Sequence, residues 1–304
     1  LPIYIHDVNV NQSVLLLEAL GVSRRLVARR KAPADLHTEL IILLRLVGAD
    51  ERDACKILSW DGQVVLLKRT HIKVLRVNLL SMSALRRLHN NCKRELILKW
   101  VKPGATVLDC GCGRGGDWWK WKAINARVHA IDPDKDSLVE AESRAFEMGF
   151  PVYFLGEGDI RQAAFAGPYD VVCYNFSIHY ITSDPDTFAS SIQALKVAVK
   201  PGGLLIGITP DRSRAEAMTD ENGVFSDDLY NTFKIQDQNL VVRLSDGPFY
   251  ADGPKVEPLL DASILIQNLK DAGFEKLVWE PMLPEPNGMI SDLYSKFVFR
   301  ANTS

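Results

Sequence analysis

Three glycines and three carboxylates carry the chemistry of this sequence. Gly111, Gly113 and Gly116 follow a short apolar run, Thr106–Asp109, and Asp109 stands two residues before the first of them. Glycines at this spacing let backbone amides approach a ligand while the chain turns from strand into helix. They satisfy the dinucleotide pattern G-x-G-x-x-G. Asp132 follows Gly111 by 132 − 111 = 21 residues, close to the ~20 at which an acidic residue meets ribose hydroxyls. Two features favour S-adenosylmethionine (SAM) over NAD. A carboxylate at Asp109 would repel a pyrophosphate but suits a cationic amino-acid end. Asp159, in GEGD at 156–159, follows a third apolar run and can accept a hydrogen bond from an adenine amino group. Taken singly, the glycines serve equally as a tight turn, Asp109 and Asp132 as helix caps and Asp159 as a loop residue. The weight lies in three carboxylates ending three successive strands, where open α/β sheets bind ligands.

The elements that must position these groups read as βαβ. Apolar strands are expected at Thr106–Asp109, Val128–Asp132, Val152–Leu155, Tyr169–Tyr174 and Leu204–Thr209. Helices are expected at Gly116–Ile124, Lys135–Met148 and Thr187–Val199. Short apolar strands alternating with helices predict a doubly wound, mostly parallel sheet. A helix at Ser263–Asp271 and strands at Glu275–Trp279 and Leu293–Phe299, the last antiparallel, complete it, and residues 211–258 read as an irregular insertion. Residues 1–80 read as a separate extension. It has helix-like stretches at Val14–Leu20 and His37–Val47 and strand-like ones at Val64–Lys68 and Lys73–Leu79. Its basic run Arg24, Arg25, Arg29, Arg30 and Lys31 suits a solvated helix face or a surface for RNA phosphate or a partner.

Composition excludes several classes. With 304 residues, 24% charged and 47% hydrophobic, the chain can bury a core. Its net charge of −2 means that any nucleic-acid role needs a local patch. No apolar run approaches the ~20 residues that span a bilayer. Five scattered cysteines suit a reducing compartment, and Cys110-x-Cys112 is not zinc spacing, so no metal is expected. The chain starts at Leu1 rather than Met, which reads as a piece of a longer polypeptide.

The segment VLDCGCGRGGDWWKW at 107–121 resembles the first motif of the mRNA cap (guanine-N7) methyltransferases, roughly VLDLGCGKGGDLLKW. Four more segments match in order. LRRLHNNCK at 85–93 resembles the family's LRNFNNWMK-like helix, and NFSIHY at 175–180 resembles QFxxHY. KPGG at 200–203 leading to TPD at 209–211 resembles KPGG…TTPN, and YSKFVF at 294–299 resembles the terminal YxxFxF strand. The resemblance covers residues 84–299. It implies a class I SAM-dependent methyltransferase (Rossmann-like) domain over 81–304, with a seven-stranded sheet and an antiparallel last strand. An extension before such a domain suits the multifunctional capping enzyme of a large DNA virus, with triphosphatase and guanylyltransferase domains upstream. That setting implies a cytoplasmic replication site or virion, or the nucleus for a cellular protein.

By the same resemblance, Lys93 would bind the SAM carboxylate, Asp109 and Gly111 its amino end, with Gly113 in the loop. Asp132 would hold the ribose, Asp159 the adenine, and Asn175 and Tyr180 the methionine end. His179 and Tyr180 would hold the cap guanosine, Glu257 (in VEPLL, like the family's VPEF) would read the guanine edge, and Tyr294 would close the pocket. Asn90 would face both ligands, and Arg114, Lys120 and Arg212 are candidates for the triphosphate bridge. Two positions depart from the family: Asn175 replaces Gln, and His89 stands at the first of two Asn positions. Trp118, Trp119 and Trp121 cluster at the start of the first helix, where core packing is expected.

The implied substrate is capped RNA, and the implied product is S-adenosylhomocysteine. Guanine N7 carries a lone pair and no proton must leave it, so no residue is assigned as acid or base. Alignment and electrostatics by His179, Tyr180 and Glu257 suffice in principle. Two other readings compete: a SAM-dependent methyltransferase for a small metabolite, and a catalytically silent methyltransferase-fold subunit that binds RNA or a partner.

Overall fold

The computed structural model describes residues 55–60, 63–68, 72–78, 82–162, 167–228, 231–244 and 253–303. The chain divides into two units, Leu1–Ser81 and Met82–Ser304. In the first, β1 (Cys55–Trp60), β2 (Gln63–Lys68) and β3 (Ile72–Asn78) form an antiparallel sheet in the order β1-β2-β3. The last two are the strands expected there. The helix-like stretches at 14–20 and 37–47 and the basic run at 24–31 lie outside the described residues.

The second unit is built on a seven-stranded sheet. The five parallel strands are β4 (Thr106–Cys110), β5 (Arg127–Asp132), β6 (Val152–Glu157), β7 (Tyr169–Asn175) and β8 (Val199–Pro210). β14 (Tyr294–Ala301) runs antiparallel to both of its neighbours, β8 and β13 (Phe274–Pro281). The strand order is β13-β14-β8-β7-β4-β5-β6. Alternate residues of β4 face opposite layers, as period-2 geometry requires. Val107 packs with α1 (Met82–Trp100), α2 (Trp118–Ala123) and α3 (Lys135–Glu147). Leu108 and Cys110 pack on the other face with α4 (Pro185–Ala198) and α6 (Ala262–Asp271). Helices on both faces leave the carboxyl ends of the strands as the open edge.

Side-chain caps start three of these helices. Asp134 accepts from Asp136 N, Asp184 from Thr187 N beside Pro185, and Asp261 from Ser263 N. Each satisfies an amide that has no partner within the first helical turn.

Two expectations are corrected. The stretch 211–258 is not irregular: α5 (Arg212–Met218) is followed by an antiparallel sheet of β9 (Val224–Ser226), β10 (Thr232–Gln236), β11 (Asn239–Arg243) and β12 (Lys255–Pro258). Its strands alternate, with Phe233, Leu240 and Val242 buried. Strands of three to five residues carry little periodic signal. The tryptophan cluster also divides. Trp118 and Trp121 are fully buried, whereas Trp119 is 39% exposed. A helix this short has one inward face, and position 119 is not on it.

Candidate active site

The glycine loop leaves β4 at the sheet's open edge. Gly111 has φ of +72°, and a Cβ there would lie 2.5 Å from Ser177 Cβ, so glycine is required for the two loops to pack. Asp132 at the end of β5 ties down the same loop. Its Oδ2 accepts from Gly113 N at 2.7 Å and its Oδ1 from Asp134 N at 2.9 Å. Burial raises the Asp132 pKa, partly offset by those two amides. Each oxygen keeps a second lone pair for a ligand hydroxyl.

A cavity of about 560 Å³ opens beside this loop. Gly111, Gly113, Asp132 and Asp159 line it together with His179, Tyr180, Glu257 and Tyr294. Asp159 is not free to meet a ligand alone. Arg161 grips it through Nε at 3.0 Å and Nη2 at 2.7 Å, and that bonding lowers its pKa.

Gly111 also borders a second cavity of about 390 Å³, shared with Lys93, Arg114, Asp117 and Asn175. Asp117 is its centre. Its carboxylate pairs with Lys93 Nζ at 2.7 Å, accepts from Asn175 Nδ2 at 2.9 Å and is held closely by Lys120 Nζ. Burial alone would raise its pKa, but the two ammonium groups outweigh burial and hold it below the usual carboxylate range. Asn175 Oδ1 is buried without a hydrogen-bond partner. Such an atom at a cavity wall is an acceptor available to a bound cation or amine.

Several expected contacts fall elsewhere. Asp109 is buried and lines neither cavity. Its Oδ2 accepts from Trp121 Nε1 at 2.9 Å, and burial followed by the Asp117 charge raises its pKa. It braces the loop from beneath. Lys120 is 1% exposed, and its Nζ is committed to Asp117, to Asn90 Oδ1 at 2.8 Å and to Gly116 O. Neither Lys120 nor Asn90 lines either cavity. Arg212 donates to Gln238 Oε1 at 2.7 Å and also lines neither cavity. Arg114 does line the second cavity, paired with Glu140 at 3.0 Å.

The far wall of the main cavity is aromatic. Phe176, with φ of +65°, presents its ring 5.2 Å from His89 and 4.9 Å from Tyr294. A bulky residue in that region is strained, a feature concentrated at functional sites. His89 Nε2 bonds Ser291 Oγ at 2.9 Å, and burial with the nearby Lys93 charge lowers its pKa to about 4. His89 is therefore neutral near pH 7. His179 is buried, with neither ring nitrogen hydrogen-bonded, and its Nε2 lies 3.4 Å from Glu257 Oε2. Burial and the Glu257 charge raise the pKa values of the Tyr180 and Tyr294 phenols. Among the described residues, no group of three or more His, Cys, Asp or Glu is arranged to hold a metal.

The fold and the sequence have counterparts in known proteins. Residues 107–203 match a methyltransferase domain family. A SAM-dependent methyltransferase from Clostridium acetobutylicum superposes with a TM-score of 0.52 at 15% identity, covering 71% of this chain and 92% of that one. The CcbJ methyltransferase from Streptomyces caelestis superposes at 0.51 and 16% identity, covering 70% and 89%. The fold is that of a SAM-dependent methyltransferase. In sequence, the chain is similar to mRNA cap guanine-N(7) methyltransferases of Caenorhabditis elegans (32% identity, 52% of this chain, 44% of that one), Saccharomyces cerevisiae (31%, 44% and 34%) and rice (26%, 46% and 44%). The chain spans less than half the length of these curated relatives.

In this methyltransferase domain, the residues that sequence reasoning missed are Asp117, Phe176, Arg161 and, as a wall residue, His89. Asp117 had a signal. It lies within the matched motif, next to tryptophans that drew attention instead. Phe176 and Arg161 had none, because their roles depend on a backbone angle and an ion pair. Among the described residues, no helix is long and apolar enough to cross a membrane.

Proposed function

We propose that this domain is an mRNA cap guanine-N7 methyltransferase. The observation that carries the reading is the convergence of His179, Tyr180, Glu257 and Tyr294 on the main cavity that Gly111 and Asp132 also line. Glu257 sits on β12 of the inserted sheet, remote in sequence from the other three, yet its Oε2 lies 3.4 Å from His179 Nε2. The similarity to cap methyltransferases supports the same reading.

SAM, when bound, supplies a methyl group on a positively charged sulfur for in-line displacement by guanine N7. Asp132 accepts from the ribose hydroxyls, and Lys93, Asp117 and Asn175 hold the amino-acid end. Asp159, oriented by Arg161, takes the adenine side. Guanine offers N1–H and an amino group as adjacent donors, and a carboxylate accepts both with two charge-assisted bonds. Glu257 fills that role. Its attraction to the base grows as positive charge moves onto guanine, so it stabilises the transition state more than the ground state. Tyr180 and Tyr294 present aromatic surface to the base as it becomes cationic. Alignment of this kind can remove roughly 7–11 kcal/mol from a barrier. Arg114 is the cation for the polyphosphate bridge. The larger setting, downstream of triphosphatase and guanylyltransferase domains in a viral capping enzyme, belongs to the same proposal.

The test is steady-state methyl transfer to GpppA beside SAM titration. The parent is expected to bind SAM and methylate GpppA. SAM binding without transfer to the cap would support a small-metabolite enzyme if another acceptor is methylated, and a silent subunit if none is.

A further inference from the structure

The net charge of −2 requires any RNA contact to come from a local patch, and the described residues contain one beside the second cavity. Trp119 is 39% exposed, unlike Trp118 and Trp121. Lys120 Nζ lies 4.4 Å from the Trp119 ring centroid and donates to Asn90 Oδ1 on α1, so the indole sits beside the middle of that helix. At about 100° per residue, Arg86, Asn90, Arg94 and Arg87 fall within an arc of roughly 100°, and the three arginines are exposed. Among the described residues, two acidic groups nearby are already occupied. Asp117 is paired with Lys93 and Lys120, and Glu140 with Arg114 and Arg144. Glu95 falls on another side of α1 by the same periodicity. Arg86 and Lys93 line the second cavity, which shares Gly111 with the main one. The patch is thus continuous with the site.

We propose that Trp119 and the arginine face of α1 form a docking surface for the single-stranded RNA that follows the cap, so that the preferred substrate is a capped RNA rather than the cap dinucleotide. The inference rests on the cap-methyltransferase reading above. A basic track with one aromatic platform is how single strands are held without sequence preference: phosphates meet the arginines and a base stacks on the indole. Trp119 is also where the resembling family motif carries leucine, so the platform is a feature of this chain and not of the shared catalytic motif.

The experiment compares the 304-residue chain with Trp119→Leu, Trp119→Phe and the double variant Arg87→Gln/Arg94→Gln. Each is assayed for methyl transfer to GpppA and to a capped RNA of about ten nucleotides, and for binding of the same RNA by tryptophan-independent fluorescence anisotropy. The parent is expected to show a lower KM for the RNA than for GpppA. Trp119→Leu should raise the RNA KM and Kd at least about fivefold and leave GpppA kinetics unchanged, with Trp119→Phe restoring most of the difference. The double variant should flatten the dependence of RNA affinity on salt by about 0.7 in log–log slope for each phosphate that an arginine no longer neutralises. Equal KM for both substrates in the parent, or equal effects of Trp119→Leu on both, overturns the proposal and leaves the surface to packing or to a protein partner. If the parent methylates neither substrate yet binds RNA in a Trp119-dependent way, the cap reading fails and the docking surface stands. If it neither methylates nor binds, both fail.

Discussion

The proposed cofactor half and the proposed substrate half of this site are built differently. Most of the cofactor half comes from one continuous stretch, residues 109–159, where β4, β5 and β6 each end in or near a carboxylate and the glycine loop joins the first to its helix. The substrate half is assembled from α1 (His89), the loop after β7 (Phe176, His179, Tyr180), β12 (Glu257) and the start of β14 (Tyr294). The first is local architecture that any sheet of this topology supplies. The second exists only once an inserted sheet folds back over the open edge. Loss of function should therefore separate cleanly: damage to the first half removes SAM binding, and damage to the second removes transfer alone.

The largest expected effect tests the centre of the first half. Asp117→Ala strands the buried Lys120 ammonium, a change that costs about 3–5 kcal/mol, and should also abolish SAM binding. Thermal melting with calorimetric titration reads both. Asp109→Ala is the contrast. It leaves the Trp121 N–H buried and unpaired, at a cost of about 1–3 kcal/mol, yet SAM affinity in the folded fraction should persist. If Asp109→Ala lost SAM while Asp117→Ala kept it, the assignment of the second cavity would be reversed.

The next effect sharpens the other half. Glu257→Gln keeps the shape but aims a donor at a guanine donor. Mispairing of that kind costs about 1–3 kcal/mol, so transfer to GpppA should fall at least about fivefold while SAM affinity stays unchanged. His179→Ala should behave similarly, and its pH profile should reveal no essential base. Transfer by Glu257→Gln at the parental rate would remove Glu257 from the guanine edge.

Two smaller effects probe the seams between the halves. His89 has its pKa lowered to about 4 from 6.5. As pH falls below 6.5, the unfolded chain takes up a proton that the folded one refuses until about 4. Stability is therefore lost on acidification across that window. His89→Gln should flatten this part of the slope in denaturant melts. An unchanged slope would mean that His89 takes up its proton at the same pH in the folded and unfolded states. Arg161→Ala breaks a pair that is about a third exposed, and such pairs contribute under about 1 kcal/mol. Melting should barely change, and SAM affinity should shift by less than about fivefold. A larger loss would make Arg161 itself a cofactor ligand.

The sequence by itself determined the topology and the glycine loop and carboxylates at its strand ends. Strand ends carrying Asp132 and Asp159, and glycines at 111 and 113, are short-range patterns whose spacing follows from backbone geometry. Their positions are therefore legible before anything is folded. The inserted sheet was not legible as structure, because strands of three to five residues carry little periodic signal. Tertiary structure alone decided that Asp117 rather than Asp109 reaches a cavity, that Lys120 is spent inside the protein and that Trp119 faces out. Which side of a six-residue helix is inward, and which carboxylate a buried ammonium chooses, depends on what packs above it. That is a property of the whole fold and not of any local run of residues.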